Sequence, residues 1–169
     1  MLTDDEFYGL FDSFKRQAFH LEMHDSYGVD TESGPFAAFL RGEPDDLAWH
    51  EPWLSLVRRV TASGRHITRA RIVTEPRVDY TRWGLTVAPH NIAAGEDIRW
   101  LPRHDVPADV SLPPHDFWLF DDHRVVWTQF DDNGQFIGSV LEHDRDLVEQ
   151  CRAAHRAVWA IAVPHAGYV

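Results

Sequence analysis

Four arginines in the middle of the chain, Arg69, Arg71, Arg82 and Arg99, have the types and spacing that most suggest chemistry. A guanidinium presents a planar fork of N–H donors that matches carboxylate and phosphate oxygens. Arg69 and Arg71 lie two residues apart in a strand-like run, which puts both on one face. Arg99 falls in the next short apolar run, and Arg82 in the helical segment between. Tyr80, Trp83 and Trp100 are interleaved with them and would suit an anionic or aromatic ligand. Glu22 and Glu96 are the acids that could neutralise the group. Two readings stay open. Either Arg69, Arg71, Tyr80, Arg82, Glu22, Glu96 and Arg99 line a site for a phosphorylated or carboxylated metabolite, or they form a structural ion-pair network. In both, the four guanidiniums are expected to lie together around one partly buried site.

Other constellations carry less. His20, Glu22 and His24 form His-Leu-Glu-Met-His, and two histidines four apart on a helix could chelate a metal. No third ligand follows from the spacing, so no metal site is expected. Cys151 falls on an apolar helical stripe and reads as a buried structural thiol rather than a nucleophile. Asp116, Asp121, Asp122, Asp131 and Asp132 gather near hairpin ends. Paired carboxylates can do acid–base work, but Asp131-Asp132-Asn133-Gly134 is also a turn composition.

Composition excludes several classes. The chain has 169 residues, 44% of them hydrophobic, with seven Trp and ten Phe, which fits one globular domain over 1–169. No apolar run approaches the roughly 18 residues of a membrane span, and the acidic start, Thr3-Asp4-Asp5-Glu6, is unlike a signal peptide. A cytoplasmic location is expected. The single cysteine excludes an intrachain disulfide and a multi-cysteine zinc site. Lys15 is the only lysine, so there is no phosphate-binding Gly-x4-Gly-Lys loop, and no cofactor is expected. The net charge is −11, unevenly spread. Residues 58–103 hold nine arginines against four acids, a net of +5, and the remainder carries −16. Such an acidic body argues against direct nucleic-acid binding.

The elements that would position these residues can be read from periodicity. Thr3 and Glu6 form a capping box, and Phe7, Leu10, Phe11, Phe14, Ala18 and Leu21 keep helical spacing, predicting a helix over about 4–22. Residues 27–33 read as a loop and 35–40 as a short helix stopped by Gly42. Pro52 opens another helix, with Gly64 at its end. A strand is predicted at about 65–74, a helix over 78–94 interrupted near Pro89, and a strand at 98–101. Residues 102–115, with four prolines, read as a surface crossover. Three strands follow in a meander, with Asn133-Gly134 as a hairpin turn. Asp144 caps a last helix whose stripe is Leu147, Cys151, Ala154, Val158 and Ile161. The sum is α/β or α+β: one mixed sheet of about five strands flanked by helices.

Two resemblances add to this. Phe19-His20-Leu21-Glu22, Tyr27 with Glu32, Arg69-Ala70-Arg71-Ile72-Val73, Asp79-Tyr80, Ala94 to Arg99 and Asp116 to Asp121 together resemble an uncharacterised actinobacterial domain family. That resemblance implies a bacterial accessory or regulatory protein acting beside a small helix-turn-helix regulator. Residues 116–163 resemble half of a phospholipase D-like domain, with His123 at its histidine and Gly138-Ser139 at its Gly-Ser. Val125 stands at its lysine and Phe130 at its aspartate, so the resemblance implies the fold with a dead or repurposed site and no phosphodiesterase activity. The expectation is a non-catalytic regulatory or interaction protein with a helix-turn-helix partner. The alternative is a small enzyme or sensor that binds an anionic metabolite at the arginine cluster.

Overall fold

The centre of the molecule is a strand that helical periodicity conceals. In the computed structural model, which describes residues 1–169, α1 (Asp4–Ser13) stops at Phe14, whose backbone is extended. The chain then enters β1 (Gln17–Glu22). The capping box at Thr3 and Glu6 forms as expected. Phe14, Ala18 and Leu21 continue the helical spacing by coincidence. Ala18, Phe19, His20, Leu21 and Glu22 are all buried, so no inside–outside alternation marks the strand.

The remaining elements follow in order. They are α2 (Asp30–Leu40), α3 (Glu51–Ala62), β2 (His66–Val73), α4 (Asp79–Ala94), β3 (Asp97–Pro102), β4 (Asp116–Phe120), β5 (Arg124–Phe130), β6 (Phe136–Leu141), α5 (Arg145–Ile161), β7 (Val163–Pro164) and α6 (His165–Tyr168). Helix α2 begins well before Pro35, where a loop is expected. Helix α4 runs through Pro89 without interruption and ends at Gly95, whose φ of 113° suits glycine. Asp144 caps α5 as expected.

The sheet has seven strands rather than five, in the order β6-β5-β4-β1-β2-β3-β7. The two extra strands are β1 and the two-residue β7. Strands β1, β2 and β3 are parallel, and the other pairings are antiparallel. The fold is thus a single-domain α/β architecture on a mixed sheet. No helix is long and apolar enough to cross a membrane.

Alternation gives the sheet two different faces. On one, Phe19, Leu21, Ala70, Ile72, Phe117, Leu119 and Val125 form an apolar core with Cys151 and Val158 of α5. On the other, α1 and α3 cover Ala18, Ile67, Trp118 and Phe120. Beyond that cover, the same face carries His20, Glu22, Arg69 and Arg71 toward the C-terminal ends of β1 and β2. Ligands of open α/β sheets commonly bind at such strand ends.

The start of β1 is clipped to the β4–β5 turn. One carboxylate, Asp121, accepts the backbone N–H groups of Lys15, Arg16 and Gln17 at 2.7, 2.7 and 3.1 Å. Burial opposes its ionisation, but these three donors outweigh it and hold its pKa below the usual value. Stability from this clip is therefore present at neutral pH and lost as pH falls below the ordinary aspartate range. Asp121→Asn tolerates the positive φ of this turn residue, 51°, while removing the charge. We expect it to cost about 1–3 kcal/mol at pH 7, with the difference from wild type shrinking toward pH 3, measured by urea unfolding.

Candidate functional site

The four arginines fall into three environments. Arg69 and Arg71 share the helix-covered face of β2 and converge on Glu22 of β1, with which both form ion pairs. Arg69 also donates through Nε to Glu96 at 2.6 Å. Glu96 follows the end of α4 and takes further bonds from Asn91 Nδ2 at 2.8 Å and Trp53 Nε1 at 3.1 Å. The rings of Trp53 and Trp118 lie 5.7 and 5.8 Å from the Arg69 guanidinium carbon, and Trp100 lies 5.5 Å from that of Arg71.

Arg99 and Arg82 are not part of this group. In the β2–β3 register, Arg99 pairs with Ala70, while Ile98 pairs with Arg69 and Trp100 with Arg71. Arg99 therefore points through the opposite face. There its guanidinium lies 3.9 Å from the Trp159 ring centroid and donates to the Trp159 carbonyl at 3.2 Å. Arg82 lies on the outer side of α4, 60% exposed and paired with Asp79. Tyr80, on the inner side of that helix, does reach the site.

The buried arginines floor a cavity of about 270 Å³. Its walls include residues from both ends of the chain: Phe7, Tyr27, Glu32, Tyr80, Asp116, Trp118, Phe130 and Ser139. His20 lies flat against Trp118, with ring centroids 4.2 Å apart and planes 10° apart. Its Nδ1 is 3.4 Å from Glu22, but neither ring nitrogen has a hydrogen-bond partner, although the residue is only 8% exposed. Asp116 accepts the Tyr27 hydroxyl at 2.6 Å and the Met23 backbone N–H at 2.9 Å. The hydroxyl of Tyr80 donates to Glu32. A smaller cavity behind Glu32, Arg71 and Tyr80 is lined by Trp49, His50, Trp83 and Gly84.

The electrostatics sort these groups by partner. Burial pushes the Glu22 carboxyl up, but Arg71 and Arg69 outweigh it and bring it down to about 2. Burial, with both arginines adding to it, lowers His20 to about 3 against the pull of Glu22, so the ring is neutral at physiological pH. Asp116 has no arginine paired with it, and the His24 Nε2 lies 3.9 Å away. Burial raises it to about 7 despite the Tyr27 and Met23 bonds. Burial likewise raises Glu32, against the Tyr80 hydrogen bond.

Other expected sites separate. His24, beyond the end of β1, has a side chain 51% exposed and packs near Tyr27 and Phe130 rather than completing a pair with His20. Cys151 is buried, and burial raises its thiol to about 12, which leaves no thiolate. His123 lies in the β4–β5 turn, outside the cavity that Gly138 and Ser139 line, and Val125 is buried on the opposite face. Asp116 does not behave as one of the turn aspartates, since it is 1% exposed inside the site. Tyr27, Glu32 and Trp118 are site residues that motif chemistry does not flag. Their only signal is that they sit in the segments that carry the family resemblance.

The sequence profile of a domain of unknown function, DUF6879, matches residues 5–169. The chain belongs to the DUF6879 family. No curated protein matches it. Among solved structures, it is similar to the crystal structure of Nuc, a phospholipase D family member from Salmonella typhimurium. The TM-score is 0.52 at 11% identity, covering 93% of this chain and 86% of that one. At that identity the likeness is one of fold, and this DUF6879 chain has a phospholipase D-like α/β fold.

The network separates two kinds of arginine in this DUF6879 chain. Arg69→Met would leave the buried Glu96 without its cation and Glu22 with Arg71 alone, and should cost about 3–5 kcal/mol. Arg82→Ala should stay within about 0.5 kcal/mol of wild type. Chemical denaturation midpoints at constant slope provide the comparison, and equal losses would contradict the assignment.

Asp116 predicts an opposite pH trend to Glu22. A carboxyl raised from the usual aspartate value to about 7 contributes stability below pH ~4 that is lost as pH rises through 7. The stability of Asp116→Asn minus that of wild type should therefore grow between about pH 4 and pH 7 and then level off. A flat difference across that range would show that Asp116 ionises normally.

Proposed function

We propose that this protein is a non-catalytic, ligand-responsive regulatory module whose receptor is the cavity over β1, β2 and β4. The carrying observation is the division of labour around Glu22. Ionic groups at the floor are already compensated, while His20 lines the same cavity with both ring nitrogens unpartnered. Buried polar groups are rarely left without partners, so a ligand that supplies hydrogen bonds would complete this surface.

The output we propose is to a helix-turn-helix regulatory protein in an actinobacterial host, the setting suggested by the resemblance. Edge strand β6 supports a route to it. Phe136 lines the cavity and is also 45% exposed, and its neighbour Ile137 is 49% exposed. A bound ligand would therefore touch a side chain that also faces solvent on the outermost strand of the sheet, whose edge is bridged only at Leu2 and Gly28.

A catalytic reading draws on one feature, an Asp116 carboxyl near 7 inside a cavity. Against it, no nucleophile is activated there. Cys151 lies elsewhere, and the only histidine on the floor has no hydrogen bond to orient it. The likeness to Nuc, a phospholipase D family member, therefore concerns the fold in this reading and not the chemistry.

Thermal unfolding against a metabolite library tests the proposal. A true ligand at about 100 times its Kd adds about 2.7 kcal/mol, which is roughly 5–10 °C for a chain of this size. The stabilising compound should be recovered chemically unchanged after prolonged incubation. Its conversion to product, lost in Asp116→Asn, would establish the enzyme instead.

A further inference from the structure

The arginine floor looks like an anion receptor, but its charge is already matched by buried carboxylates. Arg69 donates to Glu96 and Glu22, and Arg71 pairs with Glu22. The Arg71 guanidinium borders both the main cavity and the smaller one behind it. Its Nη1 would lie 2.5 Å from a Cβ built on Gly84, and the group sits over Trp100. A glycine at position 84 is what gives that guanidinium its room.

What remains toward the main cavity includes the unpartnered Thr128 hydroxyl and several acceptors. The hydroxyls of Tyr27 and Tyr80 are directed to Asp116 and Glu32. His20 is neutral, unpartnered and more than nine-tenths buried, and a neutral imidazole carries one acceptor nitrogen. The charge count points the same way. Arg69 and Arg71 balance Glu22 and Glu96, which leaves Asp116 and Glu32 as acids without an arginine of their own, Asp116 having only His24 at 3.9 Å. Aromatic rings stand beside these acids, with Tyr27 and Phe130 centroids 5.0 Å apart and Tyr27 and Tyr80 centroids 5.8 Å apart. Ring faces next to carboxylates attract a cation.

We infer that the cavity receives a small organic cation, a protonated amine on an apolar or aromatic body. Asp116 and Glu32 meet its charge, His20 accepts one of its N–H groups, and Tyr27 and Phe130 flank it. The inference rests on the ligand-binding reading above and reverses the ligand charge that the arginines alone suggest. Phosphorylated and carboxylated metabolites are disfavoured, because they would bring a further anion to a site with two surplus acids.

Three isosteric probes test this on the full chain at pH 8: phenethylammonium, phenylacetate and 2-phenylethanol. Binding is followed by calorimetry and by NMR shifts of cavity residues. Phenethylammonium should bind more tightly than the other two. Asp116→Asn should weaken it by about 10-fold or more, the usual size of a lost hydrogen bond to a charged group. Glu32→Gln should also weaken it, and provides an independent check if Asp116→Asn folds poorly. Arg82→Ala, outside the site, should leave it unchanged. Equal or tighter binding of phenylacetate or phenylethanol at cavity residues would overturn the cation assignment and leave the ligand-binding reading standing. Failure of all three to shift any cavity residue would overturn both.

Discussion

The rest of the structure depends on a carboxylate buried in the middle of the sheet. Glu22 sits at the end of the central strand, held by Arg69 and Arg71 of its parallel neighbour. A charge in that position is tolerable only when paired and hydrogen-bonded. Its partners therefore have to arrive in register, and a slip of one residue between β1 and β2 would send both arginines into the apolar face beneath α5. Glu96 extends the constraint to α4 and β3, because it receives the other side of Arg69. The network acts as a registration mark for three parallel strands and for the helix that closes them.

The same network shapes the site. With the permanent charges matched against one another, the groups that stay adjustable are those without a counter-charge: Asp116 and Glu32, each reached by a tyrosine hydroxyl. Here the arginines build the floor, and the acids and aromatic rings above it determine what the cavity can take.

Much of this architecture is legible in the sequence, and the failures have physical causes. The segment at 66–73, the α3 stripe, the 116–141 meander and the cap at Asp144 carry local signals strong enough to survive tertiary context. Strand β1 does not, because burial on both faces removes the alternation that identifies a strand. Pairing of Arg69 and Arg71 follows from their own spacing. The position of Arg99 depends on its register opposite Ala70, a relation between two strands that neither segment encodes alone. Tyr27, Asp116 and Trp118 come from segments about ninety residues apart in the chain, and only the order of the strands makes them neighbours.

That strand order also has a temporal side. The central strand's two neighbours are β2, about fifty residues later, and β4, about one hundred residues later. During synthesis the parallel half, β1-β2-β3, ends at Pro102, before β4 begins at Asp116. Until then one edge of the central strand stands unpaired, with Phe19 and Leu21 lacking the aromatic strand that will pair beside them. Such an edge is a template for pairing with another nascent chain. Aggregation risk in this fold is therefore concentrated in the interval between residues 102 and 116, and the proline-rich crossover spanning it sets how long that interval lasts.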